Sequence, residues 1–399
     1  MTRCSMMPHF PPYRRSTPLL ITTGAVLFLS GCATTQEGLP AAGDESACPA
    51  PGQWVERDGT TMTTAEVVKR AADYDVILLG EEHGNQDQHR WQLHTLSALQ
   101  GQTIVRAVGL EMLPRDRQSS LDQWLAGDRD EAAFLRESEW YEHWGHPPEG
   151  YLPLLHLARM ERIPLRALNL DRETHGRLAG TDWDDDASAL EGIISRPATP
   201  HPDYRDRLIE ALERHPHAEV ADQERFVRAQ LVWDRAMAEG LHEALDKHGG
   251  PVVGIMGRGH VEYGHGVPEQ LADLGVGDVL VLLPHATEED CEPPDTALAD
   301  FTYSYQPGTG SADAPLRLGI MVESAETGLE VTQVSDGSAA DDAGIRAGDI
   351  LLEAGGEPVN QQSALLIILN NARKGFALPI KISRNGDRKD LLVRFENGH

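Results

Sequence analysis

The sequence predicts an α/β domain with a mainly parallel sheet and helices on both of its faces, followed by a separate, smaller β-rich domain with two helices. Between residues 61 and 284, short apolar runs rich in β-branched residues alternate with helical patterns. Runs that are apolar on both faces are typical of parallel sheets, because helices cover both sides of such a sheet. A segment rich in Pro, Gly and acidic residues, 285–314, predicts a linker with one short strand at 301–305, and the second domain follows at 315–397.

The elements of the first domain are predicted from the change between these two patterns. Apolar runs predict strands at 75–79, 103–112, 163–170, 251–256 and 278–283. Helical patterns lie at 88–99, 121–136, 152–161 and 218–247. Ligands of parallel α/β sheets bind beyond the carboxyl ends of the strands, and we therefore expect the functional side chains at this edge.

Residues 1–31 are typical of a bacterial secretion signal. Basic residues precede an apolar stretch at 18–29, which is shorter than the roughly 20 residues of a membrane span. The stretch ends in LSGC at 29–32, which resembles the lipobox of bacterial lipoproteins. The resemblance implies that residues 1–31 are removed and that Cys32 carries a lipid. Residues 32–60, which are small, polar and rich in Gly and Pro, are then expected to form a flexible tether.

The residues around this anchor and the overall charge indicate a compartment and exclude some partners. Ala33 follows the cysteine, which in the lipoprotein sorting pattern implies an outer-membrane anchor with the domains facing the periplasm. In that oxidising compartment, Cys48 and Cys291 either form a disulfide or remain free thiols. The net charge of −28 repels phosphates and anionic lipid. Nucleic acid is therefore not an expected partner, and membrane attachment is expected to be covalent.

Ionisable side chains follow three of the predicted strands. Glu81 and His83 come directly after the first strand, Glu111 lies at the end of the second, and His260 follows the fourth. Because the carboxyl ends of parallel strands meet at one edge, we expect these residues to share a site. Imidazole and carboxylate groups bind divalent transition metals and also perform general acid–base catalysis. The alternative is that each residue caps its own turn and that they are unrelated.

Five segments of the first domain carry a family resemblance. They are, in order, GEEHGNQDQH, GLEM, the stretch 141–169, FVRAQLVWDRAMAE and GRGHVEYGHGVP. In this order they resemble the ChaN-like haem-binding family of the Tiki/TraB/erythromycin-esterase superfamily. The resemblance implies a haem carrier that functions in haem or iron uptake and pairs as a homodimer around stacked haems. Related members are metal-dependent hydrolases or peptidases, which implies the alternative of a divalent transition metal at a catalytic set of Glu81, His83, Glu111 and His260.

Several residues are candidates for holding the haem. A haem site needs an apolar slot, an axial ligand and cations that meet the propionates. Tyr151 and Tyr263 are both axial candidates, and the choice between them stays open. His83 and His260 are further candidates for cofactor binding, and Arg258 is a candidate partner of the propionates. The sequence contains neither HExxH nor GxSxG, so zincin and serine-hydrolase chemistry are not supported, and whether the chain is an enzyme stays open.

The second domain carries a resemblance of its own. The block GSAADDAGIRAGDIL at 337–351 resembles the PDZ domains of bacterial envelope proteases. PDZ domains add a peptide as a strand at a sheet edge and bind its terminal carboxylate. The alternative is a PDZ fold that binds no peptide, in a chain that is a non-catalytic envelope scaffold. If the domain does bind, the resemblance implies that the C-terminus of an envelope protein contacts Leu318, Gly319, Ile320, Val322, Leu365 and Ile368.

Overall fold

The computed structural model describes residues 48–102, 105–183, 187–214, 223–287, 292–308, 316–371, 375 and 377–395. The predicted signal peptide, the lipidation site Cys32 and the start of the predicted tether lie outside the described residues, as does Cys291. No helix within the described ranges is long and apolar enough to cross a membrane.

The elements alternate along the first domain and are mostly strands in the second. The strands of the first domain are β1 Trp54–Glu56, β2 Thr61–Met62, β3 Val76–Glu81, β4 Ala107–Pro114, β5 Leu165–Asn169, β6 Val252–Gly257, β7 Val279–Ala286 and β8 Phe301–Tyr305. Its helices are α1 Thr64–Ala71, α2 Gln86–Gln102, α3 Gln118–Ala126, α4 Glu131–Glu137, α5 Trp140–His143, α6 Leu152–Glu161, α7 Arg172–Ala179, α8 Pro202–Glu213, α9 Gln223–His248 and α10 Val267–Asp273. The second domain contains β9 Ile320–Ala325, β10 Gly328–Val334, α11 Ala339–Asp342, β11 Ile350–Ala354, β12 Glu357–Pro358, α12 Gln362–Asn371, β13 Ala377–Arg384 and β14 Asp387–Arg394.

One sheet forms the centre of the first domain. The order of its described strands is β2-β1-β8-β7-β3-β6-β4-β5. Neighbours from β8 to β5 run parallel, whereas β1 is antiparallel to both β8 and β2. The predicted α/β fold with a mainly parallel sheet is confirmed. Because β6 lies between β3 and β4, the three strands with ionisable residues at their ends are neighbours.

Helices cover both faces of this sheet because successive side chains of a strand point to opposite sides. Ile77 of β3 packs in one hydrophobic cluster with Leu96 of α2. Leu78, the next residue, packs in a second cluster with Leu241 of α9. Burial of each such side chain contributes roughly 1.5–3 kcal/mol, and the two clusters therefore stabilise the sheet from both sides.

The end of the predicted tether is part of the sheet. Trp54 of β1 is fully buried, and its ring lies 5.0 Å from Tyr303 of β8 and 6.1 Å from Trp91 of α2. This strand was not predicted because the Gly and Pro residues near Trp54 are typical of a tether. Its pairing partner, β8, is far away in the sequence. Cys48 is disulfide-bonded. Its predicted partner Cys291 lies outside the described residues, so the pairing stays a prediction.

The second domain is an antiparallel sheet with two helices. Its strand order is β14-β13-β11-β10-β9, and β12 pairs with β11. Leu329, Leu351 and Ile380 belong to a hydrophobic cluster of its own. The predicted β-rich domain with two helices is therefore confirmed. Among the described strands β9 lies at the edge of this sheet, the position to which a strand can be added.

Candidate functional site

The carboxyl ends of β3, β4 and β6 bring the four ionisable residues together, and we call Glu81, His83, Glu111 and His260 the buried cluster. His83 Nδ1 lies 3.0 Å from Glu81 Oε1, and His83 Nε2 lies 3.9 Å from Glu111 Oε1. On the other side of Glu111, His260 Nε2 lies 3.6 Å from the same oxygen. Glu111 therefore lies between two imidazoles that come from different strand ends.

Glycine at position 257 makes this arrangement possible. Its backbone N–H donates a 2.6 Å hydrogen bond to Glu111 Oε2. A Cβ at this position would lie 2.8 Å from His83 Cε1, which is closer than side chains pack. The end of β6 therefore positions Glu111 with its backbone and leaves the space of a side chain to His83.

Glu81 is buried but has several polar neighbours. Its Oε1 accepts a 2.6 Å hydrogen bond from the hydroxyl of Tyr151 in addition to the contact with His83. His89 Nε2 also lies 2.7 Å from Glu81 Oε2. Burial would raise the pKa of Glu81, yet hydrogen bonds from His83, His89 and Tyr151 outweigh it and lower that pKa. Glu81 is therefore a carboxylate at neutral pH.

Tyr151, one of the two axial candidates, belongs to this buried region. Only 2% of its surface is exposed. Burial and the charge of Glu81 raise the pKa of its phenol far above the ordinary value. The phenol therefore stays protonated and donates a hydrogen bond to Glu81. Because it is buried, its oxygen is not accessible to a haem iron.

A buried acid holds His260 in place. His260 Nδ1 lies 2.6 Å from Asp234 Oδ1, and Tyr204 donates a 2.8 Å hydrogen bond to the other oxygen of Asp234. Burial would lower the pKa of His260, but the charge and hydrogen bond of Asp234 and the charge of Glu111 raise it to about 9. His260 is therefore an imidazolium at neutral pH, and both of its nitrogens face carboxylates.

His83 is the member of the buried cluster that reaches solvent. Its side chain is 31% exposed, whereas that of Glu81 is fully buried and that of Glu111 is 8% exposed. The ring of Trp144 lies edge-on at 4.5 Å from His83, and the ring of His146 lies at 5.3 Å. The segment after α5 therefore forms a wall over the one exposed imidazole of the cluster.

These residues do not form a preformed metal site. No group of three or more His, Cys, Asp or Glu side chains among the described residues is arranged so that it could hold a metal ion. The carboxylates instead pair with imidazoles, a phenol and a backbone N–H. The predicted divalent transition metal therefore has no support in the geometry.

Tyr263, the other axial candidate, lies in a turn that follows β6. It has a left-handed backbone with φ 62°, which is uncommon for a bulky residue and costs conformational energy. Its half-buried ring has the guanidinium of Arg207 4.4 Å from its centroid, and its hydroxyl donates a 3.3 Å hydrogen bond to Asp295. Tyr263 is therefore held at the surface, in contrast to Tyr151.

The arginines near this turn differ in their partners. Arg258, the predicted partner of propionates, forms ion pairs with Glu262 and, at 3.1 Å, with Glu82. Arg207 instead lies 3.0 Å from His265 Nδ1 and donates a 3.3 Å hydrogen bond to the backbone oxygen of Glu262. These acceptors are neutral, so the charge of Arg207 is not compensated by them, whereas that of Arg258 is.

Sequence reasoning missed Arg207 and Tyr204. Both missed residues lie on α8, a helix that was not predicted. The available signal was Pro202 at the first position of the helix, with Tyr204 and Arg207 three residues apart and thus on one face.

A groove between β9 and α12 lies where the sequence predicts peptide binding. It has a volume of about 390 Å³. Five of the six predicted residues line it, together with Leu366 and Leu369: Leu318, Gly319, Ile320, Val322 and Leu365. Ile368 does not line it and instead lies close to Gly355, because it is on another side of α12.

Comparison with known proteins decides the family. The profile of the family described as "Haem-binding uptake, Tiki superfamily, ChaN" matches residues 67–271, half of the chain. The chain belongs to this ChaN family. A PDZ-domain profile matches residues 317–394, so the ChaN-like domain is followed by a PDZ domain, and both predicted resemblances are confirmed.

Several solved structures are similar to parts of the chain. The ChaN fold resembles that of ChaN from Campylobacter jejuni, whose structure is described as showing cofacial haem binding, with 19% identity, a TM-score of 0.51, and coverage of 63% of this chain and 95% of that one. A serine endoprotease from Yersinia pestis matches 19% of this chain and 27% of its own, with 27% identity and a TM-score of 0.18. The PDZ domain of HtrA3, bound to a phage-derived ligand, matches 20% of this chain and 82% of its own, with 20% identity and a TM-score of 0.18. No curated protein matches the chain.

Proposed function

We propose that the chain is a haem-binding ChaN lipoprotein in which Tyr263 is the axial ligand of the haem iron, and that its PDZ domain recruits the C-terminus of an envelope protein. One observation carries the assignment of Tyr263. Its phenol lies at the surface, where it donates to Asp295 and has the guanidinium of Arg207 over its ring, whereas the phenol of Tyr151 is buried and donates to the buried Glu81. The left-handed backbone of Tyr263 supports the same assignment, since strain of this kind concentrates at ligand sites.

The donor set around Tyr263 fits a ferric haem. A phenolate oxygen is a ligand of haem iron, and the haem propionates need a cation. Arg207 supplies that cation and also donates to Nδ1 of His265, which leaves the proton of a neutral His265 on Nε2. When bound, haem supplies a Lewis-acidic iron and two carboxylates, and these residues would hold it.

The buried cluster is then the support of the haem site. His260 is fixed by Asp234 and Glu111, and the turn with Tyr263 follows directly in the chain. A Cβ at Gly266 would lie 2.5 Å from the backbone oxygen of His260, so the far end of the turn also packs on His260. Neither the buried cluster nor its contacts favour the alternative of a metal-dependent hydrolase.

The cellular context of this proposal rests on the sequence. The signal-like segment 1–31, the lipobox and Ala33 support lipid attachment through Cys32 and an outer-membrane anchor that faces the periplasm. We propose a role in haem or iron uptake because the matching family is described as one of haem-binding uptake. We propose a homodimer around stacked haems because the structure of ChaN from Campylobacter jejuni is described as showing cofacial haem binding.

The partner of the PDZ domain is proposed from the groove. Its lining side chains are mainly apolar, and Gly319, with φ 76°, turns the chain just before β9. A peptide with an apolar last residue and a free carboxylate fits this lining. The full chain should bind a hexapeptide that ends in a free valine carboxylate and not its amidated form, and equal binding of both would contradict this part of the proposal.

A haemin titration of the full chain, followed by absorbance, tests the haem proposal. The wild-type chain should show a saturable shift of the Soret band. Tyr263→Phe should weaken binding by at least about 100-fold. Removal of a group that only orients a ligand already lowers affinity by up to about 100-fold, and removal of the ligand itself should cost more. Tyr151→Phe is the matched control and should bind as the wild type does. A wild-type affinity in Tyr263→Phe would overturn the ligand assignment, and an unchanged wild-type spectrum would overturn haem binding itself.

A further inference from the structure

One helix of the PDZ domain is anchored in the ChaN domain. The backbone N–H of Ser363, in the first turn of α12, donates a 3.0 Å hydrogen bond to Glu142 Oε1 of α5. Ile367, one turn further along, is 93% buried and belongs to the hydrophobic cluster of the ChaN domain rather than to that of the PDZ domain. The two domains are therefore joined by a packed contact as well as by the chain between them.

The same helix forms a wall of the peptide groove. Leu365 and Leu369 of α12 line this groove opposite β9 and belong to the hydrophobic cluster of the PDZ domain. Residues 365 and 369 are one turn apart, and so are 363 and 367, which places the two pairs on different sides of the helix. The helix α12 thus has a groove side and a docking side.

The docking side contacts α5, the helix that directly precedes the wall over the buried cluster. Glu142 is two residues before Trp144, whose ring lies 4.5 Å from His83. Trp140, at the start of α5, is buried, donates from Nε1 to the backbone oxygen of His146 at 2.8 Å, and packs 5.5 Å from Tyr151. Movement of α5 would therefore carry along Trp144 and His146, the two rings beside His83.

We propose that docking of the PDZ domain through α12 holds Trp144 over His83, so that the PDZ domain controls access to the buried cluster. α5 is a single helical turn of four residues and has little stability of its own, since short helices depend on tertiary packing. Ile367 and the N–H of Ser363 supply that packing from the PDZ domain. A peptide in the groove contacts the same helix, so its binding acts on this wall.

The experiment measures the exposure of His83 directly. The full chain is treated with diethylpyrocarbonate, the rate of modification of His83 is read by mass spectrometry, and hydrogen–deuterium exchange of residues 138–146 is followed in parallel. Ile367→Asp should raise both rates, with that of His83 rising about tenfold, which corresponds to about 1.4 kcal/mol of lost docking free energy. Leu392→Asp introduces the same charge on an exposed strand of the PDZ domain and should change neither rate.

A second variant keeps the test decisive if Ile367→Asp does not fold. Glu142→Ala removes the acceptor of the Ser363 N–H from the ChaN side and should raise the same two rates by a smaller factor. If neither variant raises them above Leu392→Asp, the PDZ domain does not hold this wall and the proposal is overturned. The measurement uses no haem, so its outcome is independent of the haem proposal.

Discussion

Two groups of ionisable residues lie near the carboxyl edge of the same sheet, and they differ in how far their polar atoms are already paired. In the buried cluster, Glu111 accepts from a backbone N–H and lies between two imidazoles, and Glu81 accepts from a phenol. In the turn after β6, Tyr263 lies at the surface and Arg207 has neutral partners. The first group stabilises the fold, whereas Tyr263, whose hydroxyl donates at 3.3 Å to Asp295, and Arg207 lie where a ligand can reach them.

The comparison shows that ionisable residues at a functional edge are not all ligands. A buried charge is tolerated only when it is paired, so a fully paired set contributes mainly to structure. A residue that solvent can reach, beside a charged side chain whose hydrogen-bond partners are neutral, is a better candidate for ligand binding. The predictions that follow separate these two roles.

The largest effect is expected from breaking the buried pair of Asp234 and His260. Asp234→Ala leaves Nδ1 of the buried His260 imidazolium and the hydroxyl of Tyr204 without their acceptor. The free energy of unfolding, measured by urea denaturation at pH 7, should fall by about 3–5 kcal/mol. Glu131→Gln, which breaks the exposed pair of Glu131 with His156, should cost less than about 1 kcal/mol. Equal losses of stability in the two variants would contradict the prediction that the buried pair stabilises the fold more than the exposed pair does.

The pH dependence of stability should show the same pair. The pKa of His260 is about 9 in the folded chain against 6.5 as its ordinary value, so folding favours its protonated form. This stabilisation is complete below about pH 6.5 and is lost as the pH rises through 9, with a total of about 3 kcal/mol. The free energy of unfolding of the wild type should decline over this range, and that of His260→Gln should decline less. Parallel curves for the two proteins would contradict the assignment.

A smaller effect is expected at the end of β6. Gly257→Ala places a Cβ 2.8 Å from the ring of His83, which Trp144 and Glu81 hold in place. The free energy of unfolding should fall by about 1–3 kcal/mol. Gly259→Ala is the matched control, since a Cβ there meets nothing within 4 Å. The same loss of stability in both variants would mean that the contact with His83 is not its cause.

The smallest effect is expected from the arginines. Arg207→Ala should weaken haemin binding about threefold to tenfold, since one cation is lost at the surface, and the difference should shrink at high salt. Arg258→Ala should leave the affinity unchanged, because Arg258 is already paired with Glu82 and Glu262. A larger loss in Arg258→Ala than in Arg207→Ala would reverse the assignment of the cation.

Much of the fold and part of the site could be predicted from the sequence. Strands such as β3 and β6 are apolar on both faces and are followed by glycine and ionisable residues. Their place in a parallel sheet and the position of Glu81 and His260 at one edge of it therefore followed from general rules. The strand β1 at Trp54 could not be predicted in this way. It pairs with β8, which is far away in the sequence, and the residues around it are of types common in loops.

The choice between the two tyrosines also needed the structure. In the sequence, Tyr151 and Tyr263 are equivalent aromatic residues near glycines. Burial of the first and exposure of the second depend on how α6 and the turn after β6 pack, and no local pattern carries that information. The same holds for Arg207, whose partner His265 is 58 residues away.

The central claim, that an exposed rather than a buried phenol binds the haem iron, is tested most directly by resonance Raman spectroscopy of the haem-loaded full chain. The account predicts phenolate vibrations that shift when the tyrosines carry deuterated rings, that persist in Tyr151→Phe and that disappear in Tyr263→Phe. Phenolate vibrations that persist in Tyr263→Phe and disappear in Tyr151→Phe would contradict it.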